Sequence, residues 1–100
     1  MSSARFAALV ATQPENEMFR FSLAQALLRE GQSAEAVPHL EFCAQKKADW
    51  MMARILLGKT LLSLGRPGEA KPWLEQALQL AIEQNHEDPE RELRGILTEL

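Results

Sequence analysis

The chain has 100 residues, 46% of them hydrophobic and 25% charged, with a net charge of -3 at pH 7 and no Tyr. That length makes one small domain, the balance excludes general disorder, and the mild acidity gives no electrostatic footprint for nucleic acid or an anionic membrane. Leu and Ala supply 30 residues while Val, Ile and Thr together supply 8, a bias that favours helices and excludes a β-sandwich or barrel.

The first predicted helix covers residues 2–12, built on the apolar run Phe6–Ala11 and ended by Thr12-Gln13-Pro14. That run is shorter than a signal-peptide core, and no apolar run approaches the ~20 residues that span a bilayer. The chain is therefore expected to start at Met1 and to stay in the cytoplasm; its single cysteine, Cys43, fits a reducing compartment. Asn16 is the expected cap of a helix over 16–30, which Gly31 ends in a left-handed conformation. Ser33 is the expected cap of a helix over 33–47, and Asp49 that of a helix over 49–64 ended by Gly65. Pro67 opens a helix over 67–84. Pro38 and Pro72 fall a turn inside their helices, so a shared late start or slight bend is expected there. Asp88-Pro89-Glu90 opens the last helix, 89–99, with Leu93, Ile96, Leu97 and Leu100 on one stripe.

Displacing the sequence by 34 residues aligns 17–50 with 51–84 at 12 identities, against about three by chance for this composition. Met18 falls on Met52, Arg20 on Arg54, Leu23 on Leu57 and Leu27 on Leu61. Gly31 falls on Gly65, Ala36 on Ala70, Pro38 on Pro72 and Leu40 on Leu74. Apolar matches stand at helical spacing and Gly stands at the break, so each copy reads as helix, tight turn, helix.

The period and these residues resemble the tetratricopeptide repeat (TPR). The first copy carries Leu23, Ala24, Leu27, Gly31, Ala36, Leu40 and Cys43 at the family's signature positions; the second carries Leu57, Gly58, Leu61, Gly65, Ala70, Leu74 and Ala77. Arg20 and Arg54 depart from the pattern, standing where the family often has Trp, and neither copy has the closing Pro. Phe6, Leu9 and Pro14 match the second half of a preceding repeat. The resemblance implies an all-α, right-handed α-solenoid of antiparallel helix pairs, with a half repeat or N-terminal helix at 1–16, repeats at 17–50 and 51–84, and a capping helix at 88–100 within one domain. Small residues at Ala24, Gly58, Ala36, Ala70, Cys43 and Ala77 let the helices of a pair approach.

Catalysis finds no support in the residues. There is no Gly-rich phosphate loop, no His-Glu-x-x-His and no nucleophile elbow, so no enzyme and no cofactor is expected. His39 takes the place of Trp73 and reads as a packing or surface residue, His86-Glu87-Asp88 is too few ligands for a metal site, and Cys43 reads as an inert packing residue.

A binding surface remains. In TPR arrays the first (A) helices line a concave face, and the family's contact positions carry over to Met18, Phe21, Gln25, Leu28 and Arg29 in the first copy and Met52, Ile55, Lys59, Leu62 and Ser63 in the second. Their spacing makes one helical stripe, and with Leu23, Leu27, Leu57 and Leu61 serving as core, its six apolar side chains are expected to stand in water unless a terminal helix covers them. The resulting expectation is a protein-interaction module that holds a peptide or amphipathic helix, with no nucleic acid and no membrane as partner. A homodimer paired through the groove or end helices, and a non-catalytic subunit of an enzyme or chaperone complex, remain alternatives. TPR domains that clamp the acidic C-terminal tails of chaperones use Lys or Arg together with Asn at the groove positions; here those positions offer only Lys59 and Arg29, with no Asn partner, so no affinity for such tails is expected.

Overall fold

The computed structural model describes residues 2–100; Met1 lies outside them. The described residues form six α-helices and no strand: α1 (Ser3–Thr12), α2 (Glu17–Arg29), α3 (Ser33–Lys46), α4 (Met51–Ser63), α5 (Pro67–Glu83) and α6 (Glu87–Thr98). Two compact units divide at the repeat boundary, one running to Ala48 and the other from Asp49 to Leu100. In the first, α2 packs on α3 and α1 packs on α2; in the second, α4 packs on α5 and α5 on α6.

Each helix pair is closed by the same turn. Gly31 and Gly65 have φ of 77° and 73°. Around Gly31, the Gln32 N–H donates to the Leu27 carbonyl at 2.8 Å and the Gly31 N–H to Leu28 at 3.1 Å. Around Gly65, the Arg66 N–H donates to Leu61 at 2.9 Å and the Gly65 N–H to Leu62 at 3.0 Å. This paired pattern satisfies carbonyls that the ends of α2 and α4 leave open. A third copy, absent from the sequence reading, ends α5: Asn85 has φ 58° and His86 N–H donates to Ala81 at 2.9 Å. Asn is the non-glycine residue that tolerates this region best. Gly65→Val should destabilise the chain by about 2 kcal/mol, because a β-branched side chain resists positive φ. Chemical denaturation checks it, and an unchanged midpoint would remove Gly65 from the role of terminator.

The same turns correct two expected caps, Ser33 for α3 and Asp88 for α6. The residue after each left-handed position is already half in the next helix, so Gln32, Arg66 and His86 occupy the N-cap positions of α3, α5 and α6. Ser33 is thereby drawn into the first turn of α3, and Asp88 and Pro89 into the first turn of α6, where an absent proline N–H costs nothing. Trp50, not Asp49, precedes α4 and makes no side-chain cap. Asn16 does cap α2, accepting from the N–H groups of Met18 and Phe19 at 3.0 and 3.1 Å. Pro38 and Pro72 do not delay their helices: α3 and α5 begin five residues earlier, at Ser33 and Pro67.

The core follows the small-residue pattern. Ala24, Ala36, Leu40 and Cys43 are fully buried in the first unit, and Leu57, Ala70, Leu74 and Ala77 in the second. Gly58 marks the closest helix approach. A Cβ there would lie 2.4 Å from Leu74 Cδ2 and 2.5 Å from Leu74 Cγ, so only glycine fits α4 against α5 at this spacing.

Candidate functional site

Two arginines at equivalent places in the repeats tie each A helix to its second (B) helix. Arg20 Nε donates to the Pro14 carbonyl at 2.8 Å, Nη1 lies 3.5 Å from His39 Nδ1, and the guanidinium carbon stands 4.2 Å from the Phe42 ring centre. Arg54, buried, donates from Nε to Gln76 Oε1 at 3.0 Å and faces the Trp73 ring at 5.7 Å. A flat cation on the A helix and an aromatic on the B helix together fill the place that the family often gives to Trp. His39 is half-buried, and that burial, reinforced by the Arg20 charge, holds its imidazole below the usual pKa. Both histidines are thus accounted for without chemistry: His39 packs under Arg20, and His86 begins α6.

Cys43 is fully buried and its thiol faces the Glu17 carbonyl at 3.4 Å. Burial pushes its pKa up to about 11, so almost no thiolate exists at neutral pH. A disulfide reagent at pH 8 should label the folded chain at least ~100-fold more slowly than the chain unfolded in guanidinium; equal rates would place the thiol at the surface. Among the described residues no three His, Cys, Asp or Glu side chains converge to hold a metal.

The contact positions separate by exposure. Met18 is 54% exposed and Met52 51%, whereas Phe21 is 8% and Ile55 5% exposed. Gln25, Arg29 and Ser63 are exposed, while Leu28, Lys59 and Leu62 are half-buried. The expectation of six apolar side chains in water is therefore corrected: two are in the core, two are half-covered, and only the methionines stand clear. Helical geometry gives the reason. At about 100° per residue, Gln25 and Arg29 lie within about 20° of Met18, whereas Phe21 and Leu28 lie about 60–80° round the helix, on the flank that turns toward Ala24. In α4 the same angles separate Met52, Lys59 and Ser63 from Ile55 and Leu62, which turn toward Gly58. What each A helix presents to solvent is thus a narrow strip with methionine at its start and polar residues beyond. Within the second unit α6 reaches that strip, where Glu92 Oε1 lies 3.0 Å from Lys59 Nζ.

Models of the tetratricopeptide repeat match residues 18–41 and 53–81, the two helix pairs just described. The chain belongs to the tetratricopeptide repeat family. Curated proteins yield no match to it. TPR repeats generally mediate protein–protein interactions and are typically non-catalytic, and they build α-solenoids by stacking helix pairs. The matched segments contain Arg20, Arg54 and both glycine turns, while Pro14, Phe42, α1 and α6 lie outside them. No helix among the described residues is long and apolar enough to cross a membrane.

Proposed function

We propose that this TPR chain is a cytoplasmic adaptor whose A helices, α2 in the first unit and α4 in the second, each hold a peptide or amphipathic helix of a partner protein on their exposed strip. The observation that carries this reading is the pair Met18 and Met52, which occupy the same repeat position and are the two most exposed large apolar residues among the described residues. Methionine is flexible and polarisable, suited to contacts with apolar side chains of varied shape, and a surface that spends two of its four methionines at one repeated place has a use for them. Leu28 and Leu62 border the strips as half-buried ledges; Gln25, Arg29, Lys59 and Ser63 supply polar contacts, and Phe21 and Ile55 support the strips from beneath.

The polar part of the strips is poor in free positive charge. Lys59 already pairs with Glu92, and no Asn stands beside it on the strip. An acidic C-terminal tail peptide should therefore show no measurable heat of binding, and micromolar affinity by calorimetry would contradict the assignment of the strips. The direct test uses the full chain as bait beside a Met18→Glu/Met52→Glu chain. Proteins retained by the first and lost from the second, at equal folded amounts, support the reading; identical sets of retained proteins would remove the strips as the contact surface.

A further inference from the structure

The two repeats differ at the start of their B helices. Gln32 and Arg66 occupy the same place, each as the N-cap of its helix, with φ of -101° and -118° and ψ of 57° and 60°. In the same register Glu35 corresponds to Glu69, and His39 to Trp73. In the second repeat the carboxylate is held within the chain: Arg66 Nε donates to Glu69 Oε2 and Nη2 to Glu69 Oε1, each at 2.6 Å. The first repeat has an uncharged amide at Gln32 instead, and among the described residues Glu35 has no ion pair. Glu35 is exposed and borders an open recess of about 340 Å³. Leu23 and Leu27 of α2, Ala4 and Ala7 of α1, and His39 of α3 line it with Glu35. Apolar side chains thus adjoin one unpaired carboxylate. His39 brings no positive charge of its own at neutral pH, because burial and the neighbouring Arg20 hold its imidazole below the usual pKa.

We propose that this recess receives an arginine side chain of a partner protein, its guanidinium pairing with both oxygens of Glu35 and its methylenes lying on Leu23 and Leu27. The occupant follows from the second repeat, where an arginine already makes that fork on the equivalent carboxylate. Arginine joins a planar pair of donors to an apolar stem, and such a stem covers apolar surface while the charged head stays in water. The Arg20 charge does not forbid a second cation. Arg54 beside Trp73 and Arg66 on Glu69 hold the equivalent places together in the second repeat. The recess uses none of the residues of the exposed strips, so the inference stands apart from the reading that assigns a partner to them.

The test is an NMR titration of the isotopically labelled full chain with two blocked peptides. One is acetyl-Leu-Arg-Leu-amide; the other carries citrulline, an uncharged isostere, in place of the arginine. The backbone amide signals of Ala4, Ala7, Gln32, Glu35 and His39 should shift and saturate, with the arginine peptide binding at least ~3-fold more tightly. Glu35→Gln should erase that preference. Gln32→Arg should erase it too, because the new guanidinium takes Glu35 as Arg66 takes Glu69. Both positions are exposed, so signals elsewhere in the chain should keep their places. The Met18→Glu/Met52→Glu chain should keep the preference. No saturable shift at the recess up to ~10 mM arginine peptide, or equal affinity for the two peptides, overturns the proposal. A preference that survives Glu35→Gln overturns it as well. Recess signals that shift when the chain alone is concentrated would give the site to a second copy, which also contradicts it.

Discussion

Phe21→Glu and Ile55→Glu should each unfold the repeat that carries them. Each side chain is almost fully buried. A carboxylate placed there must stay ionised without water, or take up a proton with its pKa driven upward, or open the structure. Each outcome costs about 3 kcal/mol or more, a large share of the 5–15 kcal/mol that holds a domain of this size. For a chain of this length each kcal/mol moves the midpoint by about 4–8 °C, so a fall of at least about 12 °C is expected in a circular dichroism melt. The companion changes Met18→Glu and Met52→Glu should stay within about 0.5 kcal/mol, as surface substitutions do. Equal melting of all four variants would return Phe21 and Ile55 to the surface.

Gly58→Val should cost about 3 kcal/mol. The β-branched side chain must enter space in which a single Cβ already stands 2.4 Å from Leu74 Cδ2 and 2.5 Å from Leu74 Cγ, and Leu74 is itself fully buried. Overpacking of this kind forces rotamers or the backbone to shift, and the gain in helix propensity over glycine is well under 1 kcal/mol for Val. Leu74→Ala alone opens a cavity and should cost about 2–5 kcal/mol. The double variant should lose less than the sum, with a coupling of about 1–3 kcal/mol measured by urea denaturation. Strict additivity would mean that the two residues do not share that space. Ala24 holds the matching place in the first repeat and Leu40 that of Leu74, and both are fully buried.

The repeat, its helices and its breaks were legible because they rest on local rules: a 34-residue register, Gly31 and Gly65 at positive φ, and leucines at helical spacing. The third turn had a weaker mark, Asn85 between Gln84 and His86, since Asn enters the left-handed region less often than Gly and is common elsewhere. The caps were misplaced for a geometric reason. Once Gly31 and Asn85 close a helix, the following residue begins the next, and a Ser or Asp one or two positions on has no say in it. The binding strip was legible as a stripe but not in its width. Spacing alone groups Met18, Phe21, Gln25 and Leu28, whereas burial divides them, because about 60° of rotation is enough to carry a side chain from solvent to the packed flank. The arginine latches had no local signal beyond their repetition: Arg20 and Arg54 acquire meaning only when α3 and α5 bring Phe42, His39, Trp73 and Gln76 beside them.

The central claim is that the strips headed by Met18 and Met52 hold a partner. The measurement that bears on it most directly is the affinity, by titration calorimetry, of the protein retained by the native bait for three chains: native, Met18→Glu/Met52→Glu, and Glu75→Lys on the exposed surface of α5. The methionine variant should bind at least ~10-fold more weakly, about 1.4 kcal/mol, with unchanged melting, and the Glu75 variant should bind as the native chain does. Equal affinity of the native and methionine variants, or loss confined to the Glu75 variant, would place the partner on another face and contradict the account.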